Sequence, residues 1–430
     1  MIPTHRPPRQ LGLLVLLALL LAACGAAAPA ATGGATAPAA AGGASAAPTT
    51  AAGAPGASGG AIKVGAVNPL TGRYAAGGAQ VKTGYELAVE DINKAGGVDV
   101  GGSKMPIELT VLDDESDATK TVQRLETLNS NNQVVTYLGG FGSDLHAAAA
   151  GIAEKNKIPY LGVAFALKKI HENGFKYLFS PFPKSPDLAV ATFDMLDSLT
   201  PKPTKVAILA EKTDWGAEMS GLWKAEADKR GYSVVANEQY AVGAKDFTPA
   251  VLAAKDGGAE VVLALPTPPD GLALAKQIKE LGLNAGVYVF VRAADSPTWA
   301  ENLKNDGNDF MFMPGWNASV KFPGAAEMVQ RYQAKYGKPA QATTGSAYAA
   351  VQILADAIKR AGSLDHDKIR DAIAATDMMT VAGPVKFNAD GTAQITTIIN
   401  QWQDGKQVLV WPLDQAAGKV AYPAKPWSER

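Results

Sequence analysis

The 430 residues carry 40 basic and 41 acidic side chains, four histidines and one cysteine, and 47% of them are hydrophobic. Near-neutral charge without Lys/Arg blocks argues against DNA, RNA or an anionic lipid surface as the main partner, and one cysteine rules out a disulfide within the chain. The length suffices for two α/β-sized domains with filled interiors.

Arg6 and Arg9 precede an apolar run from Leu11 to Ala23 that ends in Leu21-Ala22-Ala23-Cys24. The run is too short to span a bilayer, and its basic start and small terminal residues describe a signal peptide over 1–24. The ending resembles the lipobox of bacterial lipoproteins, which implies lipidation of Cys24 and attachment to a membrane through lipid alone. Without Arg6 and Arg9, 38 basic residues face 41 acidic ones, a formal charge of −3. From Gly25 to Gly60 every residue is Ala, Gly, Pro, Ser or Thr. None of these can anchor a core, so 25–60 reads as a disordered tether with a root-mean-square reach on the order of 30 Å.

Folded structure is expected from Ile62. The β-rich run IKVGAV leads through Pro69, Gly72 and Gly77-Gly78 into a helix with Val81, Tyr85, Ala88, Ile92 and Ala95 at helical spacing. The plan repeats with strand 107–112, the acidic turn DDESD read as solvated, and a helix capped by Asp117. Strand 134–138 then enters GGFGSDLHAAAAGIAEKNKIPYLGVAFA, residues 139–166. A glycine turn, a helix opened by Ser143 as cap or ligand donor, and a second strand ending in small residues would make a seat for a carboxylate. After Pro201-Lys202-Pro203 a second series follows, with strands at 205–210, 232–236, 261–266 and 287–291 and helices at 217–230, 248–256 and 271–281. Helices at 323–336 and 345–361 and strands at 395–402 and 407–412 complete the chain. Alternating β and α units predict doubly wound parallel sheets with helices on both faces, here in two lobes with a cleft between them.

Signals for chemistry fail one by one. Gly140-Phe141-Gly142 lacks the third glycine of a dinucleotide fingerprint, since position 145 is Leu145, and GVDVGGSK places Ser103 before Lys104 in the wrong context for a P-loop. No G-x-S-x-G elbow occurs. Ser143, Asp144 and His146 lie too close in sequence to line up as nucleophile, base and orienter. Four scattered histidines offer no zinc site, and DDESD lacks the order of a calcium loop. The expectation is therefore a binding protein with no enzymatic activity, cofactor or metal. Tyr74, Phe141, Phe165, Trp215 and Trp316 fall in or beside loops at strand ends, where rings can wall a pocket.

Five stretches carry a family resemblance: IKVGAVNPLTGRYAAGG with GYELAVEDINKAGG, GGFGSDLHAAAAGIAEKNKIPYLG, EKTDWGAE, AYAAVQILADAIKRAG, and GPVKFNADGTA. Together they resemble the solute-binding proteins of ABC transporters for branched-chain and other hydrophobic amino acids and amides, over Ile62 to about Pro412. The resemblance implies a type I periplasmic binding fold of two lobes joined by three crossings. Lobe 1 would be roughly 61–184 plus 315–393, lobe 2 185–314 plus 394–415, and 416–430 a C-terminal tail. It also implies a small-molecule ligand, ABC permease subunits as partners, and a place on the outer face of the cytoplasmic membrane or in the periplasm. A ligand-sensing lipoprotein of the same fold is the alternative.

Carried over residue by residue, the resemblance places the ligand carboxylate on Ser143, between Gly142 and Asp144, and on the backbone of Val163 to Ala166. The family's amino-acid binders carry a small residue and then Thr or Ser in that second loop, where this chain has Phe165-Ala166 after Ala164. After the strand VYVFV the family offers an acid to the ligand ammonium. Here Arg292 holds about that place and the nearest acid is Asp295. Either Asp295 takes the role, or the ligand lacks an α-ammonium. Tyr74, Phe141, Phe165 and Trp215 are the expected apolar walls.

Overall fold

The computed structural model describes residues 60–296 and 298–430. The expected signal peptide, Cys24 and, apart from Gly60, the tether lie outside the described residues.

The first half builds strand β1 (Ile62–Asn68), helix α1 (Ala75–Lys94), the hairpin β2 (Val98–Val100) and β3 (Ser103–Met105), β4 (Ile107–Asp113), α2 (Ala118–Thr127), β5 (Thr136–Leu138), α3 (Ser143–Asn156), β6 (Tyr160–Leu161) and β7 (Leu178–Phe179). Its sheet is wholly parallel, in the order β4-β1-β5-β6-β7. Ile62 pairs with Ile107 and Val64 with Thr136. β1 is buried from Val64 to Asn68, whereas the edge strand β4 is half-buried along most of its length. A strand covered by helices on both faces reads as a near-continuous apolar run, and an edge strand does not.

The chain then adds α4 (Ser185–Asp197), β8 (Lys205–Glu211), α5 (Asp214–Lys229), β9 (Ser233–Tyr240), α6 (Thr248–Asp256), β10 (Val261–Ala264), α7 (Pro268–Glu280), β11 (Val287–Phe290), α8 (Thr298–Leu303) and β12 (Phe310–Phe312). It returns to the first body with α9 (Ala325–Tyr336), α10 (Thr344–Ala361), α11 (His366–Ala374) and the small antiparallel sheet β13 (Asp377–Thr380), β14 (Gly383–Phe387) and β15 (Ala393–Gln394). It ends in β16 (Ile399–Gln403) and β17 (Lys406–Trp411), which join the second sheet antiparallel, giving the order β17-β16-β12-β11-β10-β8-β9. The chain thus passes between the two bodies three times, after β7, after β12 and after β15, as the resemblance implied.

α10 closes the first body by packing against α1. A Cβ on Gly84 would stand 2.4 Å from the Thr344 carbonyl oxygen, so only glycine permits this approach. Residues 412–430 run back over the second sheet: Ala424 N–H donates to Gly286 O (2.8 Å) and Trp427 Nε1–H to Leu283 O (2.8 Å).

Several expectations change. α4, α11 and the β2–β3 hairpin were not foreseen. β9 runs on to Tyr240 because its second half is a polar edge, and β16 begins at Ile399 rather than 395. Asp117 does cap α2, accepting from Lys120 N–H. The turn before it is not all solvated, however. Asp114 is buried, accepting from Ser116 N–H and Thr121 Oγ–H, and burial raises its pKa to about 6. Trp316 is core: its Nε1–H donates to Val381 O and it packs beside α10.

Candidate functional site: a cleft between two switch points

Each sheet reverses its strand order beside its first strand, between β1 and β5 in one and between β8 and β10 in the other. Loops leaving such a point diverge to opposite faces and leave a crevice at the carboxyl ends of the strands, where ligands of open α/β sheets bind. Loops from both bodies meet here around a cavity of about 30 Å³. Contacts reach across it from one body to the other, the Arg292 guanidinium lying over the Tyr74 ring, so the two lobes stand nearly closed.

The first body contributes a set of donors. Gly142, at φ +107°, turns the chain from β5 into α3, and a Cβ there would meet the Tyr74 ring at 2.7 Å. Gly142 is the helix N-cap, without a side-chain bond, so Ser143 is the first helical residue rather than the cap. Its hydroxyl instead accepts from Leu167 N–H at 3.4 Å. The first N–H groups of α3 have no acceptor within the helix.

Across from them, in the loop after β6, the carbonyls of Ala164, Phe165 and Ala166 are occupied. Ala164 O accepts from Gly142 N–H (3.2 Å), Phe165 O from Lys184 Nζ (2.8 Å), and Ala166 O from Ser185 N–H (2.8 Å) and Oγ–H (3.0 Å). The Ala164, Phe165 and Ala166 N–H groups find no protein acceptor among the described residues. A loop with its acceptors taken and its donors free suits an anion.

The Phe165 ring is held from several sides. It stacks on His146 at 4.3 Å and lies parallel to His171 at 5.7 Å, while Lys184 Nζ sits 3.5 Å from its centroid. Burial holds the Lys184 pKa well below its ordinary value. His146 Nδ1 must donate to the Gly142 carbonyl (2.7 Å), and burial lowers this histidine's pKa to about 3, so the ring is neutral. Asp144 pairs with Arg73 and accepts from Tyr74 O–H (3.1 Å). With Asp144 and His146 so engaged, Ser143 has neither a base nor an orienter.

The second body contributes charge. Glu211, the last residue of β8, is buried and accepts from Arg292 and from Thr213 Oγ–H (2.9 Å). Burial raises its pKa, opposed by the Arg292 charge. The Arg292 guanidinium also lies 4.7 Å from the Trp215 ring and 5.1 Å from that of Tyr74 on the other lobe. Asp295, 2% exposed, has one carboxylate oxygen, Oδ1, without a partner, and burial raises its pKa to about 7 against the pull of Arg292.

Of the expected site residues, Phe141, Gly142, Ser143, Ala164, Phe165 and Ala166 line the cavity from one side and Trp215, Arg292 and Asp295 from the other. Asp144 lines an adjoining recess of about 100 Å³ instead. Tyr74 lines neither and stands behind, against Phe141 and under Arg292. Sequence reasoning missed Phe182, Leu188, Val291, Met313, Pro314 and Thr343 in the lining, and above all Glu211, which lines the adjoining recess. The signal for Glu211 was present, an acid closing the apolar run KVAILAE.

Residues 61–407 match a family model described as periplasmic binding protein. The chain belongs to that family. This binding protein is 29% identical over 381 residues to Leu/Ile/Val-binding protein homolog 8 of Brucella abortus (strain 2308), covering 84% of this chain and 93% of the relative. It is 26% identical to homolog 7 of the same strain over 84% and 94% of the two chains. Among solved structures it is similar to the branched-chain amino acid transporter substrate binding protein LivJ from Streptococcus pneumoniae in complex with isoleucine (TM-score 0.73, 22% identity, 84% of this chain and 100% of that one). A solute binding protein of an ABC transporter from R. palustris, in complex with benzoate, is similar over 84% and 98% (TM-score 0.72, 20% identity). The structural likenesses establish the type I periplasmic binding fold. Membership and relatives make the chain a periplasmic binding protein rather than an enzyme. Among the described residues no helix is long and apolar enough to cross a membrane, and no cluster of three or more His, Cys, Asp or Glu side chains could hold a metal.

Proposed function

We propose that this protein is the extracytoplasmic receptor of an ABC importer, anchored by lipid at Cys24, and that it closes over a hydrophobic α-amino acid. The lobes would divide as 61–184 with 315–393 and 185–314 with 394–415. One observation carries the reading: a loop with free N–H groups and occupied carbonyls lies across one cavity from a buried carboxylate oxygen without a partner. The two ends of an amino acid need those two things. Ser143 and the 164–166 backbone would hold the carboxylate, and Asp295 the ammonium. Arg292 does not oppose this, because Glu211 neutralises it in place. Phe141, Trp215, Leu188 and Met313 would enclose the side chain. The names of the Leu/Ile/Val-binding relatives support the same ligand class.

Closure moves donors into reach and expels water, which strengthens each polar contact in the cleft. Calorimetric titration with isoleucine, leucine, valine, benzoate, a dicarboxylate and a short amide tests the reading. Branched-chain amino acids should bind most tightly. Tighter binding of benzoate than of isoleucine would refute the role given to Asp295.

A further inference from the structure

The α5 helix reaches the other lobe one turn beyond Trp215. The Glu218 carboxylate accepts from Lys168 N–H at 2.8 Å and from Lys169 N–H at 2.9 Å. Those two residues open a short 3₁₀ helix, Lys168–Asn173, that belongs to the first body. It is pinned there by Asp390, whose carboxylate pairs with Lys168 Nζ (2.6 Å) and whose carbonyl accepts from His171 Nδ1 (2.9 Å). Glu218 is therefore a bridge between the bodies, one carboxylate of the second holding two backbone donors of the first.

The place it holds matters more than the bond itself. Lys168 follows the 164–166 loop after a single residue, and that residue, Leu167, gives its N–H to Ser143 Oγ. Three successive N–H groups, 167 to 169, thus have fixed acceptors, the last two only while α5 is docked. We infer that Glu218 is a positioning residue for ligand binding, favouring the closed arrangement and setting the donors of the anion seat, although it does not line the cavity. The inference rests on the reading of that loop as the seat. Its physical basis is differential. The two charge-assisted bonds exist in the closed form and are lost when the lobes part, so they bias that equilibrium, and a ligand selecting the closed form binds tighter in proportion.

The test compares wild type, Glu218→Gln and Glu218→Ala by X-ray scattering without ligand, by scattering with saturating isoleucine, and by calorimetric titration with isoleucine and benzoate. Without ligand, Glu218→Ala should show a larger radius of gyration than wild type, and saturating ligand should bring the two together. Its affinity for whichever probe binds wild type should fall about tenfold. Glu218→Gln, which keeps one acceptor oxygen, should fall between, and supplies the same readouts if the alanine variant does not fold. Unchanged ligand-free scattering with affinity within about twofold of wild type would overturn the inference. If neither probe binds wild type the functional reading fails, while ligand-free scattering still decides for or against the bridge.

Discussion

Asp295 offers the sharpest perturbation, because a buried carboxylate with an unpaired oxygen ties stability to pH. Burial raises its pKa from 3.8 to about 7. Between those values the unfolded chain has lost the proton and the native chain keeps it, so native stability falls as pH rises from about 4 to about 7. At 1.36 kcal/mol per unit, a shift of about three units costs the native state on the order of 4 kcal/mol at pH 8. Asp295→Asn removes the titration while keeping the shape. Denaturant unfolding of both proteins from pH 4 to pH 8 should give similar stability at the acid end and a growing advantage for the variant, up to about that figure, at the alkaline end. A gap that does not change with pH would refute the reasoning. The same group divides ligands. An ammonium binds the charged carboxylate, so isoleucine affinity should rise with pH toward 7 in the wild type and lose that dependence in the variant. Benzoate, which has no ammonium, should bind wild type less tightly as pH rises.

Other residues give independent checks. Ser143→Ala should weaken binding by roughly 1–3 kcal/mol by calorimetry through one lost charge-assisted bond, with little change in unfolding. Glu211→Gln leaves the Arg292 guanidinium buried without its partner, and should lower stability by about 3–5 kcal/mol in urea unfolding. Arg292→Glu sets two carboxylates together in the same site, so it should destabilise at pH 8 more than at pH 4 rather than simply change ligand preference. Gly142→Ala forces φ +107° on a residue with a Cβ that meets the Tyr74 ring, and should reduce isoleucine affinity at least as much as Ser143→Ala does.

The fold was legible because each central strand is an apolar run followed by a helix with a buried stripe, and that alternation fixes parallel sheets. The first lobe's side of the cavity was legible for a related reason. Its glycines and its serine are contiguous in sequence, so spacing alone brings them together. The opposing lobe was harder to read, since Glu211 and Arg292 lie on different strand ends and meet only through the order of the second sheet. Phe165 shows a further limit. Position at a strand end placed it at the cavity, which it lines, but the contacts with His146, His171 and Lys184 that hold its ring come together only in the fold. α4 was not read from the sequence, although Pro186 is well placed in a helix's first turn.

The central claim is that Ser143 and the 164–166 backbone seat a carboxylate while Asp295 receives an ammonium. Titration of the wild type at pH 8 with isoleucine, its primary amide, and the matching branched-chain acid that lacks the amine separates the two ends. The account predicts that isoleucine binds best and that both truncated ligands lose at least about tenfold. Equal affinity for isoleucine and either one would contradict it.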